Sequence, residues 1–152
     1  MPAVFFMPEE LEVHQVLKQY NISESDFAAA GQASSHFKSV LKKLGVSSDV
    51  VRRVAIAMYE AEINTFIHGG GGTCEAEILS DRIKIVFSDN GPGIANIDLA
   101  MEEGYSTASD TIRELGFGAG MGLPNIKKYS DELDISSTPG KGTTVTITIY
   151  LR

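Results

Sequence analysis

The sequence predicts an α+β fold, a two-layer sandwich in which a mostly antiparallel, mixed sheet is covered on one face by helices. Three observations carry this expectation. Two stretches with helical periodicity come first, between residues 23 and 68. Short strand-like runs bounded by Gly, Ser and Asp follow, with one further helical run inserted among them. The chain then closes on Thr143-Thr144-Val145-Thr146-Ile147-Thr148-Ile149-Tyr150, whose strict alternation marks a strand with one wet face. A length of 152 residues suits a single domain, 1–152, with a substantial core.

Leu11 to Ile22 reads as an edge strand or an irregular lead-in, and periodicity does not decide between them. Ser23 then resembles an N-cap with Asp26 three residues on. The helix it starts carries Phe27, Ala30, Phe37, Val40, Leu41 and Leu44, with Gly45 as its stop. A second helix, from about Val50 to His68, has Ser47 or Ser48 as cap and Asp49 in its first turn. Gly69-Gly70-Gly71-Gly72 ends it, read as a helix stop plus flexible connector in preference to a ligand contact. Glu75–Leu79 and Ile83–Phe87 pair as a hairpin across Ser80-Asp81-Arg82. Ile97 to Glu103 forms a short helix, and Glu102 to Glu114 is a polar loop. Leu123 to Tyr129 is helical, Leu133 to Ser137 is a strand, and Thr138-Pro139-Gly140-Lys141-Gly142 turns the chain into the last strand.

Composition removes several classes of function. A net charge of -7 argues against a direct nucleic-acid binder, which needs a basic face for the phosphate backbone. The single Cys74 allows no intrachain disulfide and suits a reducing cytoplasm. The apolar run at Val4-Phe5-Phe6-Met7 is too short for a membrane span, so a cytoplasmic protein is expected. His14, His36 and Cys74 show no metal-ligand spacing, and no G-x-S-x-G turn presents a nucleophile.

The candidate chemistry lies on one helix stripe and at two glycine-rich corners. Ile56, Glu60, Asn64 and His68 recur every four residues in an otherwise apolar helix. A carboxylate and a carboxamide there need partners, because each costs roughly 1–3 kcal/mol if buried unsatisfied. Asn64 can supply an oxygen to a hydrated Mg²⁺, which also takes substrate phosphate oxygens, and Glu60 can then accept a proton from a nucleophile. Both residues can equally cap or bridge neighbouring structure. His68 suits the helix dipole at a C-terminus, and Glu62, on another side, reads as a surface or interface charge. Asp89, ahead of Asn90-Gly91-Pro92-Gly93-Ile94, can accept from an exocyclic amino group such as that of adenine or form an Asx turn. The second corner, Gly116 to Leu123, leads into a helix whose free N–H groups suit phosphate oxygens.

Together these pieces resemble the nucleotide-binding domain shared by gyrase, the mismatch-repair ATPases and the histidine kinases, the GHKL superfamily. The asparagine box is Glu60-Ala61-Glu62-Ile63-Asn64 and the first glycine box is Asp89-Asn90-Gly91-Pro92-Gly93-Ile94. The lid-end box is Gly118-Ala119-Gly120-Met121-Gly122-Leu123, and Gly140-Lys141-Gly142-Thr143 closes the series. Four motifs in order form a far more specific signal than any single glycine pattern.

The resemblance implies a Bergerat-type fold with an ATP lid and an ATP or ADP pocket between sheet and helices. On it, Asn64 would hold Mg²⁺, Asp89 would read the adenine amino group, and Gly91 and Gly93 would let the base approach. Gly118, Gly120 and Gly122, with Leu123, would form the phosphate cradle, Thr143 would support the adenine-side network, and Glu60 falls where the general base sits. Within the superfamily, compact size and Met101-Glu102-Glu103-Gly104-Tyr105-Ser106-Thr107 are most similar to the bacterial anti-sigma-factor serine kinases. That likeness implies γ-phosphoryl transfer to a serine of a STAS-type antagonist protein, with a sigma factor or phosphatase as a further partner. A homodimer through the strand before Ile22 is also expected. A self-contained histidine kinase fits less well, because neither His14 nor His36 lies in an acceptor motif. A nucleotide-switched binding module and a slow ATPase are the competing readings. Lys127 and Lys128, just after the lid, either assist with phosphate charge or are solvated.

Overall fold

The computed structural model describes residues 16–23, 25–94, 97–102 and 122–151. Strand β1 spans Val16–Ile22, followed by a 3-10 turn at Phe27–Ala29 and helices α1, Gln32–Lys43, and α2, Ser48–Ile67. Then come β2, Gly72–Ile78, β3, Arg82–Asp89, the one-turn helix α3, Ile97–Ala100, and α4, Gly122–Tyr129. Strands β4, Glu132–Thr138, and β5, Gly142–Tyr150, end the fold. The sheet order is β1-β2-β3-β5-β4. All four described pairings are antiparallel, where a partly mixed sheet was expected.

Register decides the layers. Tyr20 pairs with Cys74, Cys74 with Phe87, and Phe87 with Val145, so one row of side chains crosses the sheet on a single face. Ile83, Ile85, Ile147 and Ile149 lie on that face and are fully buried under Val54, Ala57, Met58 and Ala61 of α2. The opposite face presents Glu75, Lys84, Asp134 and the three β5 threonines Thr144, Thr146 and Thr148, as the alternation in β5 predicts. Arg53 of α2 and Asp131 pair at 3.1 Å, and the Asp131 carboxylate also accepts from the Tyr150 N–H. The helix layer is thereby tied to the far edge of the sheet.

The lead-in resolves as an edge strand from Val16, while residues 1–15 lie outside the described residues. The helix expected from Ser23 is divided. The Ser23 hydroxyl accepts from the N–H groups of Ser25 and Asp26, and Asp26 caps the 3-10 turn through the N–H groups of Ala28 and Ala29. Gly31, at φ 94°, then breaks the chain direction, and α1 begins only at Gln32. The other end of α1 follows the sequence reading. The Gly45 N–H bonds to Lys42 O and the Val46 N–H to Leu41 O, the Schellman pair. In α2 the cap is Ser47, which accepts from the Val50 N–H.

Glu62 corrects the expectation of a surface charge, being only 2% exposed. Its Oε2 accepts from the N–H groups of Gly31 and Ala33 at 2.9 and 3.1 Å, and its Oε1 from that of Ser34 at 2.9 Å. Gly31 occupies the N-cap of α1 and has no side chain to offer, so a carboxylate from α2 supplies the acceptor. The helix dipole favours the negative charge there. Glu62→Ala leaves three backbone donors unmatched and should lower unfolding free energy by about 3 kcal/mol in urea denaturation. Wild-type stability in that variant would refute the remote cap.

Candidate functional site

Helix α2 carries two polar faces. Glu62 looks toward α1, whereas Glu60 and Asn64, one turn apart, look toward α4. The side chain of Asn125 in α4 lies near the Glu60 carboxylate. The Asn64 carboxamide lies against Gly122, the first residue of α4. A Cβ built there would stand 3.1 Å from Asn64 Oδ1 and 3.2 Å from Nδ2. Gly122 therefore lets the start of α4 settle on the amide. Burial raises the pKa of Glu60 above the ordinary carboxylate range, and the nearby Asn125 side chain opposes that shift.

The stripe continues to His68, which is the C-cap of α2. Burial lowers its pKa, so desolvation works against the charged form that the helix dipole would favour. Beyond it the glycine run is packed tightly. Gly70 and Gly71 take φ of 71° and 92°, which side chains rarely adopt. A Cβ on Gly69 would lie 2.5 Å from Asp89 Cγ and 2.6 Å from Oδ2. The run is thus a close contact between the end of α2 and the end of β3, which replaces the expected flexible connector.

Asp89 realises the Asx turn. Its Oδ1 accepts from the Gly91 N–H at 2.8 Å, and Oδ2 lies beside Gly69. That leaves acceptor capacity on a carboxylate of fixed orientation, since an ionised carboxylate offers about four lone-pair sites. The glycines that follow have reasons internal to the fold. A Cβ at Gly91 would meet Gly69 O at 2.7 Å, and one at Gly93, φ 78°, would meet Thr138 O at 2.5 Å. The Gly140 N–H bonds to Pro92 O, joining the same turn to the β4–β5 hairpin.

Thr143 sits opposite Asp89 in the β3–β5 register and opposite Ser137 in the β4–β5 register, so all three share one face. Ser137 Oγ donates to Gly142 O at 3.1 Å and accepts from the Ile94 N–H at 2.7 Å. Its one hydrogen being used, Thr143 donates to Ser137 across 3.0 Å. Ser137 and Asn125 were not singled out in the sequence. Neither has a local signature, because their partners are reached only through tertiary contacts. Leu123 is buried in the core, so any ligand contact there would fall to its backbone. Lys127 and Lys128 are exposed, the latter 5.4 Å from the Tyr129 ring centre. His36 bonds the Tyr20 hydroxyl at 2.8 Å. Burial, with Cys74 and Glu62 nearby, pushes the Tyr20 phenol up to about 12. Cys74 is the third residue of β2, and burial raises its thiol pKa. Gly118, Gly120, His14 and the stretch 103–107 lie outside the described residues.

The structure thus brings Glu60, Asn64 and Gly122 together between α2 and α4, and Asp89, Gly91, Gly93 and Thr143 together at the sheet end. Gly69, five residues beyond Asn64, joins the two groups, a spacing of roughly 7.5 Å along a helix axis. Among the described residues no cluster of three His, Cys, Asp or Glu side chains is set to hold a metal. No described helix is long and apolar enough to cross a membrane.

Comparison with known proteins places these features in context. The family described as histidine kinase-, DNA gyrase B-, and HSP90-like ATPase matches residues 34–152. The chain is 33% identical over 135 residues to the serine/threonine-protein kinase RsbT of Bacillus subtilis, covering 86% of this chain and 93% of that one. It is 33% identical over 140 residues to an anti-sigma F factor of a Thermoanaerobacter species, covering 86% and 94%. Among solved structures, the RsbU and RsbW domains of a Mycobacterium tuberculosis protein superpose with TM-score 0.62 at 16% identity. They cover 90% of this chain, which spans 32% of that longer one. The SiaB-SiaC complex from Pseudomonas aeruginosa gives TM-score 0.58 at 14% identity, covering 93% and 94%. At such identities these two likenesses bear on the fold alone.

Gly69→Ala should push the Asp89 carboxylate off the Gly91 N–H and cost about 1–3 kcal/mol of stability. In a double-mutant cycle with Asp89→Ala the two losses should be clearly less than additive. Full additivity would mean that the contact carries no coupling.

Proposed function

Because the chain belongs to the histidine kinase-, DNA gyrase B-, and HSP90-like ATPase family, we propose that it is an ATP-dependent protein kinase that phosphorylates a serine of a partner protein. The observation that carries this reading is the pair Glu60 and Asn64, one turn apart and both turned toward α4. A relative named as a serine/threonine-protein kinase over nearly its whole length supports the same assignment. The partner we propose is a STAS-type antagonist in an anti-sigma circuit, in keeping with the relatives named anti-sigma F factor. A sigma factor or phosphatase would be a further partner, and a second copy would pair along β1, the edge strand among the described residues.

The residues suit a magnesium nucleotide. Asn64 offers a hard amide oxygen, and the absence of a side chain at Gly122 lets the start of α4 approach that amide. Asp89 keeps acceptor capacity toward an amino group beyond its bond to Gly91. Magnesium, when bound, neutralises charge on the transferring phosphoryl group. The protein's share is largely positioning, as in phosphoryl transfer generally. Asp89 orients the base, and Thr143 and Ser137 hold the strand ends on which that carboxylate stands. Asn64 and the first N–H groups of α4 fix the phosphate end. Glu60, ionised, accepts the proton of the attacking serine hydroxyl, and its half-buried setting keeps it a stronger base than a solvated carboxylate.

The test combines nucleotide binding with transfer. Labelled ATP is incubated with the protein and candidate STAS-domain proteins from its genomic neighbourhood, and phosphoserine is then located in the product. Asp89→Asn should abolish the calorimetric heat of ATP binding with magnesium. Glu60→Ala should keep that heat and lower transfer by about 10²–10⁴-fold. Partner switching by nucleotide that persists in Glu60→Ala would instead assign the chain to a nucleotide-set binding module. A proton must leave the hydroxyl to an ionised Glu60, so transfer should fall as pH drops through the raised pKa of that group. The acid limb should lie above the ordinary carboxylate range of about 4.3.

A further inference from the structure

Resting on the reading of the chain as a kinase of a partner protein, we propose that Arg52, Lys128 and Tyr129, with Lys127 beside them, form a docking surface for carboxylates on the protein substrate. Helix α4 lies along one stripe of α2 and runs the opposite way. Its first residue, Gly122, rests on the Asn64 amide, and the ring centre of its last, Tyr129, lies 5.7 Å from the Arg52 guanidinium carbon. Arg52, Ile56, Glu60 and Asn64 recur every four residues, so Glu60 sits between these two contacts on the same face. Arg52 precedes Glu60 by eight residues, roughly 12 Å along the helix axis. A substrate that presents its serine to Glu60 over this seam therefore meets the cations with groups about 12 Å from the hydroxyl.

Tyr129 gathers the charge. Lys128 Nζ stands 5.4 Å from the same ring centre, so one ring holds two cations within cation–π reach. Arg52, Lys127 and Lys128 are exposed, and neither lysine pairs with a carboxylate among the described residues. Of the acids at this end, Asp131 is held by Arg53 and by the Tyr150 N–H. Asp49 pairs with Arg52 at 3.2 Å, but both side chains are more than half exposed, and water lets such a pair exchange easily. In a chain of net charge -7 this cationic end gives an acidic partner an attractive approach beside Glu60. Two other tasks leave part of the cluster unexplained. A helix dipole favours Lys127 and Lys128 in a last turn, but not Arg52 near the start of α2. Nucleotide phosphates would call for cations at Gly122, and Lys128 lies six residues past it, held at the far end of α4 by Tyr129.

The experiment has two arms, both on the full chain. The first measures transfer to the STAS-domain protein that the wild type phosphorylates, using Arg52→Gln, the double variant Lys127→Gln/Lys128→Gln and, as a charge-keeping control, Lys128→Arg. The KM for that protein should rise about threefold for each charge removed, with kcat and the KM for ATP unchanged. Its dependence on salt should become shallower, and Lys128→Arg should behave as wild type. A KM for the partner that stays at the wild-type value at low salt in both Gln variants overturns the docking surface and leaves the kinase assignment standing. The second arm needs no transfer. An oligoglutamate peptide is titrated into ¹⁵N-labelled protein, with oligolysine as control, and the backbone amides of residues 49–53 and 125–129 are followed. Oligoglutamate should shift them in wild type and not in the double Gln variant, and oligolysine should shift neither. Amides unmoved in wild type, or moved equally in the variant, overturn the proposal. Docking of oligoglutamate in a chain that phosphorylates no partner upholds the surface and removes the kinase reading instead.

Discussion

The end of α2 can meet the end of β3 because two glycines leave room. Gly69 has Asp89 where its side chain would be, and Gly91 has Gly69. Gly93 is met in turn by Thr138 and Pro139. Remove any of these permissions and the Asp89 carboxylate loses either its orientation or its place. The rest of the candidate site is measured from that junction. Asn64 lies just upstream on the same helix, Thr143 lies across the strand, and α4 rests on α2 through Gly122.

One helix thus serves two unrelated electrostatic tasks. On one side Glu62 meets three backbone donors and is matched by them, a structural charge with little capacity to spare. On the other, Glu60 has the Asn125 side chain nearby and remains half-buried with acceptors available. The two carboxylates are two residues apart and differ only in what the fold places opposite them. Saturation by backbone amides marks a group that holds structure together, whereas partial satisfaction leaves one able to exchange a proton.

Much of this was legible in the linear chain. The alternation from Thr143 to Tyr150 gave the last strand, and Ser47, Asp49 and the apolar run after them gave α2 and its cap. The Glu60–Asn64 spacing put both groups on one stripe without any tertiary information. What stayed hidden was long-range. Glu62 was misread because its three partners lie 28 to 31 residues upstream, and a carboxylate in an apolar helix carries no mark of a distant cap. Gly31 was passed over within an otherwise helical pattern, so α1 was begun too early. Asn125 and Ser137 gain meaning only when α4 meets α2 and when the β4–β5 hairpin meets the turn after Asp89.

The remote cap also shapes how the native state breathes. Helices commonly fray from both ends, but the amide hydrogens of Gly31, Ala33 and Ser34 are sealed against a carboxylate rooted in the middle of the neighbouring helix. Releasing them strands a charge in the interior, so solvent exchange at these sites should wait for α1 and α2 to separate together. Local opening of α1 is thereby confined to its glycine-terminated end near Leu44, and the amino-terminal half joins the most slowly exchanging part of the molecule.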